Sequence, residues 1–259
     1  MKNVVYGVYR FLGFHICSYL LENGEEVVGY DWDPEDMQAE EKQLMIGRNA
    51  NFSYCDEQWT SESEAQLLIC LFDYLQNPIN TENQFQQIID DLDLFLEKIQ
   101  KERTEIVVFL PEQVLDHFHC TLSEWRIKMN QDYAVRYVYV SELYGPWLPS
   151  FNAMTKIMRK EKTVLKENMS KYIYIDDFLR SWKDLMAINK SEIIVAGKQN
   201  EQWQQDLKLY VAERGLVFAE QDYCEIEADL LIEAKTSLVE GIKLMEEHEA
   251  MLNMLRKRF

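Results

Sequence analysis

Two glycines near the N-terminus, Gly7 and Gly13, enclose a short loop between an apolar stretch and an amphipathic segment. In a unit of strand, loop and helix that binds a dinucleotide, a first glycine makes the tight turn, a second lets the backbone approach the pyrophosphate, and a third lets the helix pack on the strand. Here Arg10 occupies the second position. Its Cβ would crowd the path of the pyrophosphate, whereas its guanidinium could pair with a phosphate. The sequence leaves both interpretations open.

A carboxylate at the expected distance accompanies this loop. Asp31 ends an apolar segment and lies 18 residues after Gly13, and an acid about 20 residues beyond such a loop holds an adenosine ribose. A 2′-phosphate beside Asp31 would be repelled, so we expect NAD rather than NADP as any cofactor unless Arg10 or Arg48 compensates. The alternative is a solvated acid after an ordinary strand.

The elements that must position these residues follow from the apolar pattern. Short runs rich in Val and Ile alternate with longer amphipathic segments, as a doubly wound α/β fold with a parallel sheet requires. Strands are predicted at residues 3–6, 26–30, 51–54, 65–71, 105–110, 135–140 and 192–196. Helices are predicted at residues 12–23, 84–102, 122–132, 150–161, 176–187, 203–214 and 237–256.

The charge and the apolar pattern of the sequence argue against nucleic acid and membranes as binding partners. The 45 acidic and 27 basic residues give a net charge of −18, which would repel nucleic acids and anionic lipid surfaces. No apolar run reaches the roughly 18 residues of a membrane span, and no basic region precedes an apolar segment at the N-terminus. The five cysteines are widely spaced without a CxxC pair, which favours buried thiols over disulfides or zinc. We therefore expect a cytoplasmic protein that binds neither nucleic acid nor membrane.

The order of several short segments resembles the extended short-chain dehydrogenase/reductase family, the NAD-dependent sugar-nucleotide epimerases and dehydratases. The segments are residues 2–13, 19–31, 55–56, 141–146 (SELYGP), 172–177 (YIYIDD) and 236–242. The resemblance implies a Rossmann-like core over residues 1–149, with residues 150–259 completing the core and adding a reduced C-terminal lobe and a terminal helix. It implies cofactor-binding positions at Gly7, Arg10, Phe11, Leu12, Gly13, Asp31, Asp56 and Phe72.

The catalytic groups of that family are missing here. Active members use a tyrosine and a lysine four residues later for proton transfer, with a serine or threonine near the end of the fifth strand. The resemblance places Asp116, Cys120 and Pro111 at these positions, and no tyrosine occurs between Thr104 and Asp132. We therefore predict no catalytic residue.

The segment after the fourth strand departs from the family as well. The family has small residues there, facing the nucleotide, whereas this chain has Phe72 and Asp73. Their bulk and negative charge would oppose a diphosphate ligand. An ion pair between Arg10 and Asp73 that fills the crevice is the expected outcome.

One histidine cluster could carry other chemistry. His117 and His119 lie beside Asp116 and Cys120, which would suit a metal ion or a Cys/His nucleophile. On a helix, residues two apart point about 200° away from each other, so the two histidines cannot share a face. We predict no metal site.

The prediction for function is a catalytically inactive Rossmann-like protein with a binding or scaffolding role, with NAD as the cofactor if its altered site binds one. We expect a homodimer through the long helix at residues 84–102, although packing in the core also explains the apolar stripe of this helix. The identity of any other protein partner cannot be read from the sequence. The alternative is an NAD(P)-dependent oxidoreductase or epimerase-like enzyme with an unusual proton donor, for which His117, His119 and Tyr144 are the candidates.

Overall fold

A computed structural model describes residues 2–32, 38–55, 64–77, 81–100, 103–116, 120–161, 164–166, 172–213, 217–219 and 227–257. Its strands are β1 (Lys2–Tyr6), β2 (Val27–Tyr30), β3 (Phe52–Tyr54), β4 (Ala65–Cys70), β5 (Thr104–Pro111), β6 (Val135–Val140), β7 (Leu143–Tyr144), β8 (Val164–Lys166), β9 (Ile173–Tyr174), β10 (Glu192–Lys198), β11 (Val217–Ala219) and β12 (Leu230–Glu233). Eight of these strands form the main sheet, and β7 with β9 and β8 with β11 form two small ones.

The main sheet has the strand order β3-β2-β1-β4-β5-β6-β10-β12. The pairs β1 with β2, β2 with β3, β1 with β4, β4 with β5 and β10 with β12 are parallel. Strand order reverses between β1 and β4, and in such sheets ligands bind outside the carboxyl ends of the strands at this switch point. The loops that begin at Gly7 and Leu71 therefore border the expected crevice. The predicted doubly wound fold is confirmed.

The central strands are buried along almost their whole length. Every residue of β4 is buried, and so are all but the first residue of β1 and all but Glu105 in β5. Strands buried on both sides read as continuous apolar runs rather than as alternating patterns. All seven predicted strands correspond to observed ones, whereas β12 of the main sheet and the strands of the two small sheets, β7, β8, β9 and β11, were not predicted.

Ten helices lie in the described part of the chain. They are α1 (Phe11–Glu22), α2 (Ala39–Ile46), α3 (Phe72–Gln76), α4 (Glu82–Leu96), α5 (Cys120–Asp132), α6 (Ala153–Met158), α7 (Ile175–Arg180), α8 (Trp182–Ala187), α9 (Glu201–Glu213) and α10 (Leu238–Arg256). A capping box of Thr81 and Gln84 fixes the start of α4. The sequence did not predict α2 or α3, and α4 ends at Leu96 rather than at the predicted residue 102. No described helix is both long and apolar enough to cross a membrane.

The chain divides into two compact units. The first contains residues 1–139 and 190–192, and the second contains residues 140–189 and 193–259. The first unit holds the β1 and β4 loops. The division of roles after residue 149, with a reduced C-terminal lobe, stays a prediction.

Within the second unit, Asp177 joins α7 to the segment before α10. Its buried carboxylate accepts hydrogen bonds from the backbone N–H groups of Lys235 and Thr236, both at 3.0 Å, and forms an ion pair with Arg180. Ser237 then caps α10 by accepting from the N–H of Glu240. The YIYIDD segment thus has a structural role that needs no ligand.

Candidate dinucleotide site

Gly7 makes the turn between β1 and α1. Its φ of +83° lies in the left-handed region that favours glycine, and the N–H groups of Gly7 and Val8 donate to the carbonyl of Tyr30 at 2.8 and 3.0 Å. A Cβ on Gly7 would lie 2.9 Å from the Trp32 ring and 3.0 Å from the Cys70 carbonyl oxygen. Both the turn and the close approach therefore require glycine.

Gly13 allows α1 to pack directly on this turn. A Cβ at Gly13 would lie 2.0 Å from the carbonyl oxygen of Gly7, far inside any van der Waals contact. The close packing predicted for the third glycine is confirmed. Whether the loop binds a cofactor remains a prediction.

Arg10 stands at the N-cap of α1 in extended backbone that any residue adopts, with φ −73° and ψ 161°. Its Nε and Nη2 donate to Oδ1 of Asp31 at 3.0 and 2.5 Å, while the N–H of Tyr9 donates to Oδ2 at 2.8 Å. The Asp31 side chain is 0% exposed and that of Arg10 is 17% exposed. The expected pair between Arg10 and Asp73 is thus wrong, because the guanidinium reaches the end of β2 instead.

Trp32 adds an aromatic wall beside this ion pair. Its ring lies 4.5 Å from the Arg10 guanidinium carbon and stacks on Tyr6 at 5.3 Å between ring centroids. A cation over an indole face is attracted by the ring quadrupole. The sequence analysis did not consider Trp32, although an aromatic residue directly after the acid of β2 was the available signal.

Asp73 lies in the first turn of α3, after β4, and is only 6% exposed. Burial raises the pKa of its carboxyl to about 6, and the Lys42 and Arg10 cations and the N–H groups of Phe11 and Leu12 partly offset that rise. Neither carboxylate oxygen has a hydrogen bond of standard geometry with a described residue. Asp73 therefore faces the start of α1 and is held there mainly by charge.

Lys42 brings a second cation into the first unit's interior. It lies on α2, is 2% exposed, and donates from Nζ to the Tyr9 carbonyl oxygen at 2.6 Å. A lysine is almost never so buried unless it is paired. The sequence analysis missed Lys42 because α2 has no clear apolar periodicity that would mark one of its faces as buried.

Behind the crevice, Asp91 of α4 accepts hydrogen bonds from two strand tyrosines. The hydroxyl groups of Tyr6 and Tyr30 donate to its Oδ2 and Oδ1 at 2.7 and 2.8 Å. Burial, together with the Asp91 carboxylate, raises the pKa of both phenols. Both tyrosines therefore stay protonated and serve as hydrogen-bond donors.

The remaining predicted cofactor positions offer mostly backbone. Phe11 and Leu12 bury their side chains in the core, so only their N–H groups could meet a ligand. Phe72, at the start of α3, is also fully buried. Asp56 lies outside the described residues.

The positions that the resemblance aligns with the family's catalytic groups lie between the end of β5 and the start of α5. Pro111 ends β5, Asp116 follows a 3-10 turn, and Cys120 begins α5. The Cys120 thiol donates to Oε1 of Glu124 at 3.4 Å, and this contact raises the pKa of the thiol. A thiol with a raised pKa is a poor nucleophile. Among the described residues no group of His, Cys, Asp and Glu could hold a metal ion.

The alternative proton donors gain no support from their positions. His117 and His119 lie outside the described residues. Tyr144 is fully buried within the second unit, accepts a hydrogen bond from Nε1 of Trp203 at 3.3 Å, and has a pKa raised by burial. A catalytic tyrosine needs the opposite shift.

Comparison with known proteins assigns the architecture. No protein-family profile and no curated protein matches the sequence. Among solved structures, the fold is similar to UDP-glucuronic acid 4-epimerase from Bacillus cereus in complex with NAD, with a TM-score of 0.64 and 14% identity over 97% of both chains. It is also similar to the NAD-dependent NDP-hexosamine 5,6-dehydratase TunA, with a TM-score of 0.61 and 15% identity over 96% of this chain and 98% of that one.

A third similar structure is the Bordetella bronchiseptica enzyme WbmG in complex with NAD and UDP, with a TM-score of 0.64 and 11% identity over 97% of this chain and 94% of that one. These similarities establish a Rossmann-like fold of the kind found in NAD-dependent epimerases and dehydratases. At such low identity they extend to the fold alone, which confirms the predicted resemblance at the level of architecture.

Proposed function

We propose that this chain is a non-catalytic Rossmann-fold protein that acts by binding or scaffolding, and that its own side chains close its dinucleotide crevice. The observation that carries the proposal is the ion pair between Arg10 and Asp31. Both oxygens of the acid that would hold a ribose already accept hydrogen bonds, two from Arg10 and one from Tyr9. A ribose would have to displace a cation from a fully buried carboxylate.

The free energy needed to displace Arg10 from Asp31 determines how far the affinity for NAD is lowered. Removing one partner of a buried pair costs about 3 kcal/mol or more, and a replacement hydroxyl pair restores only part of it, since neutral hydrogen bonds are weaker than charged ones. Each 1.4 kcal/mol is about a tenfold change in affinity. We therefore expect NAD to bind up to about a hundredfold more weakly than it would at the same site without the ion pair.

The absence of a proton-transfer pair supports the same proposal. Asp116 and Cys120 stand where the family resemblance requires tyrosine and lysine. Tyr144 is buried with a raised pKa. Even a bound cofactor would lack a positioned acid or base among the described residues.

An NAD-dependent oxidoreductase or epimerase-like enzyme is the second candidate, and the intact geometry of Gly7 and Gly13 favours it. In that case Arg10 would leave Asp31 and bind a phosphate of the cofactor. Asp31 would then hold the ribose, and NADP would be disfavoured by charge.

Calorimetric titration of the purified protein with NAD, NADH, NADP and NADPH separates the two candidates. Mass spectrometry of any small molecule that copurifies adds an independent readout. Undetectable binding of all four dinucleotides supports the proposed role. Micromolar binding of NAD or NADH overturns it in favour of the enzyme.

A homodimer through α4 remains part of the proposal. Most of the predicted apolar stripe, including Ile88, Ile89 and Leu92, is buried within the chain, whereas Leu94 is exposed. Light scattering of the wild type and of Leu94→Glu tests it. A dimer that becomes monomeric on substitution supports this interface, and a monomeric wild type rejects it.

A further inference from the structure

A stacked aromatic cluster lies at the ends of β1 and β2. The Tyr6 ring stacks on Tyr30 and on Trp32, with 5.3 Å between ring centroids in both pairs. Phe95 of α4 packs against Tyr6 and Tyr30 with centroid distances of 5.5 and 4.8 Å. Aromatic rings in such contact stabilise the core. They can also exchange an electron, because electron transfer weakens steeply as the distance between donor and acceptor grows.

The carboxylate of Asp91 gives two members of this cluster a proton acceptor. The Tyr6 hydroxyl donates to Oδ2 at 2.7 Å, and the Tyr30 hydroxyl donates to Oδ1 at 2.8 Å. Both distances lie within the range over which a base takes a proton directly. A phenol that loses an electron becomes a strong acid, so its proton moves to the acceptor of its hydrogen bond. Asp91 can therefore take up the proton that an oxidised tyrosine releases.

Trp32 connects the buried tyrosine to the surface. Tyr6 is 0% exposed, whereas Trp32 is only half-buried. Oxidised Trp32 would carry a positive charge 4.5 Å from the Arg10 guanidinium carbon, a contact between like charges that is unfavourable. Oxidation of Tyr6 with proton transfer to Asp91 leaves a neutral radical and a neutral carboxyl instead. The charges of the cluster therefore favour moving the oxidation inward from Trp32 to Tyr6.

We propose that Tyr6, Tyr30 and Asp91 form a site for proton-coupled one-electron oxidation, with Trp32 as its point of entry. A one-electron oxidant in solution removes an electron from the Trp32 ring, and Tyr6 then gives an electron to Trp32. As Tyr6 is oxidised, its phenolic proton passes to Oδ2 of Asp91. The cluster then holds a neutral tyrosyl radical and a protonated carboxyl. A small one-electron reductant such as ascorbate later returns the electron, and Asp91 returns the proton.

The test is photo-oxidation of the purified protein with ruthenium tris-bipyridine and a cobalt(III) electron acceptor, followed by electron paramagnetic resonance of the frozen sample. The chain contains 14 tyrosines, so variants must assign the signal. Asp91→Asn keeps a hydrogen-bond acceptor but takes up no phenolic proton. Asp90→Asn is the matched control, because it changes the net charge equally at an exposed carboxylate that accepts from Gln86. Thermal unfolding of each variant shows that it is folded.

We expect one long-lived tyrosyl radical per chain in the wild type, because Tyr6 and Tyr30 share a single proton acceptor. Its yield should be unchanged in Asp90→Asn. The long-lived signal should be lost in Asp91→Asn and in the double variant with Tyr6→Phe and Tyr30→Phe. Trp32→Phe should lower the yield. In deuterated water the wild-type radical should decay more slowly, because its reduction returns a deuteron from Asp91.

A wild type without a long-lived radical overturns the inference. A radical of wild-type yield and lifetime in the double variant also overturns it, because another tyrosine then holds the radical. Equal losses in Asp91→Asn and Asp90→Asn would assign the effect to net charge and overturn the role of Asp91. An unchanged yield in Trp32→Phe overturns the point of entry. Dinucleotide binding affects none of these results, so the inference and the proposed function fail independently.

Discussion

The two sides of the switch point differ in what they retain of a dinucleotide site. On the β1 side, Gly7 and Gly13 have the turn and the close packing that such a site needs. On the β4 side, Asp73 places a buried carboxylate against the start of α1. The two sides therefore differ in kind: backbone geometry distinguishes the β1 side, and a buried charge distinguishes the β4 side.

The largest effect should come from the β1 side. Gly13→Ala places a Cβ 2.0 Å from the Gly7 carbonyl oxygen, and α1 can relieve this contact only by moving away from the turn. We expect a loss of about 3 kcal/mol in the free energy of unfolding, measured by urea denaturation.

Gly24→Ala is the control for that experiment. Gly24 has a positive φ, unlike Gly13, and a Cβ there would meet no atom within 4 Å. Its loss should be about 1 kcal/mol, from backbone strain alone. Equal losses of unfolding free energy in Gly13→Ala and Gly24→Ala would show that α1 does not depend on close packing at Gly13.

The next effect concerns the ion pair between Arg10 and Asp31. Asp31→Asn leaves the Arg10 guanidinium without its buried partner, and we expect a loss of about 2 to 3 kcal/mol. Asp93→Asn breaks the exposed pair with Lys128 and should cost less than about 1 kcal/mol. Denaturation of both variants compares them, and losses of the same size would contradict a stabilising role for the buried pair.

Asp73→Asn should stabilise the protein at neutral pH, whereas the substitutions of Gly13 and Asp31 should destabilise it. Because the folded-state pKa of about 6 lies above the ordinary aspartate value of 3.8, the folded state binds more protons between these pH values. The contribution of Asp73 to stability is therefore present at low pH and is lost as pH rises through about 6. At pH 7 the substitution should stabilise the protein by about 3 kcal/mol, at about 1.4 kcal/mol for each unit of pKa difference.

The pH profile checks this sign. The stability difference between Asp73→Asn and the wild type should grow as pH rises from about 4 to 7. A difference that is flat with pH would show that Asp73 is not buried as an ionisable group, and the contrast between the two sides would then be lost.

The smallest expected effect comes from the hydrogen bond between the Tyr30 hydroxyl and Asp91. Tyr30→Phe removes one of the two hydroxyl donors to Asp91 and should cost about 1 kcal/mol in the free energy of unfolding. Tyr139→Phe, which removes a buried phenolic hydroxyl that has no hydrogen-bond partner among the described residues, is the control for loss of a hydroxyl alone. A loss of unfolding free energy no larger than that of the control would show that the hydrogen bond to Asp91 does not stabilise the protein.

The parts of this fold that were predictable from sequence are those fixed by local pattern. Apolar runs mark β1, β4 and β5 because both of their faces are covered, and the spacing of Gly7 and Gly13 marks the turn. The end of α4 at Leu96 was not predictable, since the apolar stripe continues to Ile99 beyond the last helical turn.

The side-chain partners of the candidate site were predicted less well for a physical reason. Arg10 could reach either Asp31 or Asp73, and only the packed geometry of Trp32 and the β2 terminus shows which acid it meets. Lys42 comes from a helix whose buried face has no periodic signal. Contacts between segments distant in sequence depend on the assembled sheet, which composition and spacing do not encode.

The shared acceptor Asp91 also bears on how the first unit assembles. Its hydrogen bonds to Tyr6 and Tyr30 span 85 and 61 residues of sequence. The chain loses conformational entropy when such long segments close, and it does so before the stabilising contacts form. Contacts of this span therefore slow folding. Both bonds need β1, β2 and α4 already in place, which makes this triad a late marker of folding in the first unit.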